Sequence, residues 1–106
     1  MGTDHEKDFL DNIIDSVIAI DKAGNVREVN QATLKLLGYK RREEIIALPF
    51  GKICKNFSTA GLKDKLPLAE QELIYLDKEG KETPVSVNII TRISYPDDII
   101  FMSRGI

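Results

Sequence analysis

The sequence predicts an α+β domain, a five-stranded antiparallel sheet with short helices over one face. Three observations predict it. The runs D-K-A-G at Asp21 to Gly24 and D-K-E-G at Asp77 to Gly80 place one tight-turn chemistry twice between β-rich segments; an Asp that bonds forward and a Gly that takes positive φ close a hairpin. Helix start and stop signals, Asn30 and Gly38, fall after the first pair of strands and not among the later ones. The later strands are joined by short connections, so neighbours in sequence pair as neighbours in space.

A chain of 106 residues with 42% hydrophobic and 30% charged residues is one globular domain with one core. Its net charge of -2 gives no general attraction to nucleic acid or anionic lipid. Cys54 is the single cysteine, so neither an internal disulfide nor a thiolate cluster for zinc is available. No apolar run approaches the roughly 20 residues of a membrane helix, and the start MGTDHEKD lacks the pattern of a signal peptide. These features place the segment in the cytoplasm, with no membrane contact of its own.

Residues 4 to 15 read as an N-terminal amphipathic helix, with Phe9, Leu10, Ile13 and Ile14 on one stripe, and residues 16 to 106 as the core. A helix this short is marginal alone and must dock, on its own sheet or on a twin. Val17 to Ile20 is the first strand and Asn25 to Val29 the second. Asn30 caps a helix carrying Ala32, Leu34 and Leu37 that ends at Gly38. A second helix is expected in KRREEIIA, with Ile45 and Ile46 inward and Pro49 as its stop.

Phe50 to Leu68 has the weakest pattern and predicts irregular structure with at most one short helix, at Leu62 to Leu66. Glu72 to Leu76 is the third strand. Thr83 to Ile93 is the fourth and longest, alternating Val85, Val87 and Ile89 against Ser86, Asn88 and Ile90, with Pro84 marking an edge or a strand start. Tyr95 to Asp98 makes the last turn and Ile99 to Met102 the last strand.

The run D-K-A-G-N-V-R-E-V-N-Q-A-T-L-K-L-L-G-Y from Asp21 to Tyr39, followed by R-E-E-I-I from Arg42 to Ile46, resembles the PAS sensory domain. The D-K-E-G-K hairpin at Asp77 and the ending S-R-G-I at Ser103 to Ile106 resemble that family's later strands, so the likeness covers the chain from about Leu10 onward. The resemblance implies strand order 2-1-5-4-3 with helices closing a pocket over one face. It also implies a signal-sensing and transmission module excised from a longer bacterial signalling protein, such as a sensor histidine kinase in a two-component system. Its natural partners are then a downstream output domain and a second copy of itself. Two departures stand out: Lys40 replaces the Ser or Thr that often caps the helix after Gly-Tyr, and the middle segment is short.

In the fold the resemblance implies, Ile18, Ile20, Leu34, Leu37, Ile45, Ile46, Phe57, Leu73, Val87 and Phe101 line the space between sheet and helices, with Val85 and Ile89 nearby. So apolar a lining suits a small apolar ligand or a solid core, and the solid core is the favoured reading. Phe9, Leu10, Ile13 and Ile14 are the expected homodimer surface. The alternative function is a ligand-free dimerisation or protein-interaction module. No cofactor is assigned. G-K-I-C-K-N-F at Gly51 to Phe57 only partly matches the cysteine segment of flavin-binding light-oxygen-voltage PAS domains, lacking the Asn before Cys54. Haem is disfavoured because the one histidine, His5, lies in the tail and not in the middle helices. The Lys40-Arg41-Arg42 run reads as a solvated face. With no placed histidine and no Gly-rich phosphate loop, catalysis is not expected and no metal ligands are assigned.

Overall fold

In the computed structural model, residues 15–55, 57–58, 61–91 and 98–104 are described. Five strands, β1 Ser16–Ile20, β2 Val26–Val29, β3 Leu68–Leu76, β4 Glu82–Thr91 and β5 Ile99–Arg104, form one sheet in the order β2-β1-β5-β4-β3. Every pairing is antiparallel. The expected fold class and strand order both hold.

The two hairpins close by the same chemistry. Asp21 Oδ1 accepts from the amides of Ala23 and Asn25 at 2.9 and 3.0 Å, and Asp77 Oδ1 accepts from those of Glu79 and Lys81 at 2.9 and 2.7 Å. Gly24 and Gly80 both take φ of 85°, where a side chain would be strained. A carboxylate two and four residues upstream of the amides it binds thus substitutes for water over the whole turn.

Helix α1, Gln31–Leu37, is bounded as its sequence dictates. The Asn30 side chain accepts from the Thr33 amide, and Gly38 at φ 77° sends its amide to the Leu34 carbonyl. Buried Thr33, Leu34 and Leu37 face the sheet.

Beyond α1 several expectations need correction. KRREEIIA is not an α-helix but a 3-10 turn at Arg42–Glu44. Neither Lys40 nor Arg41 offers a capping oxygen, so the Glu44 carboxylate bends back and accepts both of their amides, at 2.9 and 3.0 Å. The stop is Ala47, at φ 73°, two residues before Pro49; its amide already bonds to Val26 on β2. Among its described residues the irregular segment holds two 3-10 turns: Leu62–Lys65, where one short helix was expected, and Phe50–Lys52, where none was.

Strand limits also move. Asn25 forms an isolated bridge with Pro49 and β2 starts one residue later. β3 begins at Leu68 because a bulge between Leu68 and Gln71 lets the strand re-enter register with β4. β5 runs on to Arg104, paired with Ser86. Pro84 lies in an interior strand, yet at its start, where β4 pairs with β3 at Ile74 and the described pairing with β5 has not begun. The N-terminal helix with its stripe, the end of β4 beyond Thr91 and the turn from Tyr95 lie outside the described residues.

One short connection engages both rims of the sheet. Along β2, Val26 donates to Leu48, Ala47 to Val26 and Phe50 to Gly24; along β3, Lys55 donates to Ile74 and Leu76 to Ile53. Residues 47 to 55 therefore join the two outermost strands across the helical side.

Candidate ligand core

The face of the sheet toward α1 and the 3-10 turns carries Ile18 and Ile20 from β1, Leu73 and Tyr75 from β3, Val85, Val87 and Ile89 from β4, and Phe101 from β5. All are buried in one cluster with Leu34, Leu37 and Ile45. The sequence-predicted lining is thus brought together, with Ile46 and Phe57 half-buried against it. Val26, Val29 and Ile99 also belong to the cluster; Phe50, Ile53, Leu62 and Tyr75 join it without having been anticipated, and Cys54 is buried in it, as expected of a structural cysteine. Tyr75 was legible, standing two residues from Leu73 on the same strand face. Phe50 and Ile53 were not, because their burial comes from the rim bonds of the connection and from no periodicity of their own.

Four rings make its centre. Phe50 stacks on Phe101 at a centroid distance of 4.3 Å and 23° between planes. Phe57 meets both edge-on, at 6.4 and 5.9 Å, and Tyr75 meets Phe50 edge-on at 6.4 Å. Edge and offset contacts of this kind add to burial by about 0.5 to 1.5 kcal/mol per pair. The core is therefore knit from the connection, β3 and β5 together.

One end of this core is polar. Ser16 and Ser103, register partners on β1 and β5, are both buried. The Ser16 hydroxyl shares a 2.7 Å hydrogen bond with that of Thr33, whose oxygen also lies 2.9 Å from the Val17 carbonyl and from Asn30 Oδ1. Asn30 Oδ1 accepts from the Val17 amide at 3.0 Å, and its Nδ2 donates to the Asp15 carbonyl at 2.9 Å. Asn30 thus caps α1 and clamps the root of the N-terminal segment with one side chain. At the far side of this end stands Tyr75, fully buried. Burial pushes its hydroxyl far above the ordinary phenol range, with the Cys54 thiol adding to the effect and Ser103 opposing it. The Ser103 hydroxyl acts on it as a loose hydrogen-bond neighbour, and among the described residues neither hydroxyl has a partner in strict hydrogen-bond geometry.

Charges stay at the margins. Glu44 pairs with Lys78 at 2.9 Å across from the second hairpin, whose Lys78 amide also donates to the Leu37 carbonyl at 2.7 Å. That ammonium, then the Arg41 and Lys40 amides, hold the Glu44 carboxyl down at about 2. Asp98 is buried at the head of β5 beside Arg27 at 3.5 Å. Cys54 is buried and bridged to Tyr75. Among the described residues no group of three His, Cys, Asp or Glu side chains is placed to hold a metal.

A five-stranded 2-1-5-4-3 sheet with a short helix and 3-10 turns across one face matches solved structures over nearly its whole length. The PAS domain of an HTR-like protein from Haloarcula marismortui superposes with TM-score 0.82 at 20% identity, covering 99% of this chain and 97% of that one. This is a PAS fold. A family model described as PAS fold also matches residues 5–52, from the N-terminal segment through the turn at Phe50. The PAS domain of a two-component sensor histidine kinase gives TM-score 0.81 at 13% identity, covering 97% of this chain and 95% of that one. The PAS domain of nitrogen regulation protein NR(II) from Vibrio parahaemolyticus gives 0.77 at 14%, covering 95% and 97%. No curated protein matches by sequence. In PAS terms the aromatic cluster lies between the sheet and the helical connection, and the polar end lies beneath the start of α1.

Proposed function

We propose that this PAS-fold domain is the non-catalytic sensing and transmission module of a multidomain cytoplasmic signalling protein, a sensor histidine kinase. Occupancy or repacking of the core biases the flanking segments and through them an output domain. The observation that carries the reading is the Asn30 clamp. A buried side chain that both starts α1 and holds Asp15 and Val17 couples core geometry to the point where the N-terminal segment joins the sheet. The likeness to PAS domains of histidine kinases supports the choice of parent. Among the described residues no helix is long and apolar enough to cross a membrane.

Transmission of this kind works through a homodimer whose interface includes Phe9, Leu10, Ile13 and Ile14. The outer face of the sheet supports it: Val17 pairs with Met102, and Ile90 with Ile100, all four only half-buried. Sedimentation equilibrium of the wild type against Leu10→Glu tests this. A dimer that the substitution turns into monomer supports the interface, and a monomer in both sinks it.

The second reading, a ligand-free dimerisation or docking module, is favoured by the near-complete burial of Phe50, Tyr75 and Phe101 in the aromatic cluster. Native mass spectrometry of gently purified protein separates the two. A retained small-molecule mass supports sensing through a ligand; the apo dimer alone at every purification scale supports the docking module.

A further inference from the structure

We propose that the exposed basic side of α1 and of the turn after it, with Lys35, Lys40, Arg41 and Arg42, is a seat for the acidic side of this chain's own N-terminal segment. The seat acts within one chain and does not depend on the dimer. It leaves Phe9, Leu10, Ile13 and Ile14 free to meet a twin.

Charge is divided along this chain. Residues 31–66, which build the helical side, hold eight Lys and Arg against three Asp and Glu, a net +5; with -2 overall, the remaining residues sum to -7. α1 exposes Gln31 and Lys35, one turn apart on one side, and the exposed run Lys40-Arg41-Arg42 follows directly past Gly38. The acids around that side are already engaged. Glu44 accepts the Lys40 and Arg41 amides and pairs with Lys78, and Glu82 pairs with Lys55. Among the described residues Lys35, Lys40, Arg41 and Arg42 form no salt bridge, and Glu43 is the one acid in their run left without a pair.

The complement stands at the start of the chain. At helical spacing Asp4, Asp8, Asp11 and Asp15 lie four, three and four apart, on the side opposite Phe9, Leu10, Ile13 and Ile14. Asp15 is anchored at the start of α1, its carbonyl held by Asn30 Nδ2 at 2.9 Å. A helix over residues 4–15 spans about 18 Å and α1 about 10 Å. A segment antiparallel to α1 therefore carries Asp4 and Asp8 past Gly38 to the level of Lys40 to Arg42. Magnitude selects the occupant. Exposed ion pairs contribute about 0 to 1 kcal/mol each, so four of them fall short of the ~8 kcal/mol that joins separate molecules at micromolar concentration. They suffice for a segment already tethered to the seat, whose effective concentration is on the order of millimolar.

The test places a nitroxide on Thr3→Cys in the whole 15N-labelled chain, diluted into an excess of unlabelled chain so that effects within one molecule are read. Cys54 is buried and stays in place, and mass spectrometry confirms a single label. Expected at about 20 mM salt is a loss of roughly half or more of the amide signal at Lys40, Arg41 and Arg42, reversed near ~1 M salt, where charges are screened beyond about 3 Å. Lys35→Glu with Arg42→Glu abolishes the loss, and adding Asp4→Lys with Asp8→Lys restores it, circular dichroism checking the fold of each variant. No broadening at low salt overturns the seat, as does broadening that survives high salt or the charge reversals. A mixture of nitroxide-bearing and separate 15N-labelled chains reads the twin: broadening seen there and not within one molecule puts a twin's segment on the seat and also overturns it. None of these outcomes bears on the sedimentation of Leu10→Glu, which judges the dimer separately.

Discussion

Asn30 does more at one position than any other polar residue described. Its oxygen receives the amides of Thr33 and Val17 and its nitrogen supplies the Asp15 carbonyl, so a single truncation orphans groups on a helix and on a strand together. Asn30→Ala should destabilise the domain by about 2 to 4 kcal/mol, combining a lost cap with buried backbone groups left unpaired. Urea denaturation measures it; a loss below about 1 kcal/mol would mean that water replaces the side chain. The capping role was readable in the sequence, as were the corners at Asp21, Gly24 and Gly38, because each acts on backbone within four residues. The reach of Asn30 to Asp15, and the Ser16 to Thr33 bond, were not. They join positions about 15 apart in sequence, and only the packed sheet brings such pairs together.

Among the elements, the 3-10 turn at Arg42–Glu44 is tied to the β3–β4 hairpin by Glu44 and Lys78. The Glu44 carboxyl titrates at about 2 in the folded chain against an ordinary 4.5, so its contribution is fully present above 4.5 and is lost as pH falls toward 2. Lys78, raised by the same partner, contributes below its ordinary 10.5 and loses that contribution as pH climbs through its higher folded value. Glu44→Gln should therefore be less stable than wild type near neutrality, and the two should converge as pH falls from 4.5 to 2. Chemical denaturation at several pH values checks it; a gap that stays constant would show the pair to be screened out by solvent. Both hairpins and α1 could be read because they carry local punctuation. The turn could not: acidic residues near an apolar pair suit an α-helix equally well, and what decided was the missing oxygen at Lys40 together with the pull of β2 on Ala47.

For the whole molecule, the segment from Ala47 to Lys55 is bonded to β2 and to β3, and so belongs to the sheet it crosses. Native-state hydrogen exchange should show the amides of Val26, Ala47, Phe50, Lys55 and Leu76 opening only with global unfolding, at about 5 to 10 kcal/mol. Exchange of the Ala47 to Lys55 amides by a separate, denaturant-insensitive opening would break that unity. The segment was opaque in the sequence for the same reason that it matters: its backbone partners are strands before and after it in the chain. The arrangement also governs how other chains can approach. A sheet ordinarily invites an incoming strand along its outermost backbone, but here those stretches of β2 and β3 already have their hydrogen bonds made. What is left on β3 is the part around Glu70 to Glu72, acidic and kinked by the bulge, a poor template for strand addition. A strand adding to this sheet along Val26 of β2 or along Ile74 to Leu76 of β3 would therefore have to break bonds that the connection already makes, a backbone cost that a partner meeting the faces of the sheet does not carry.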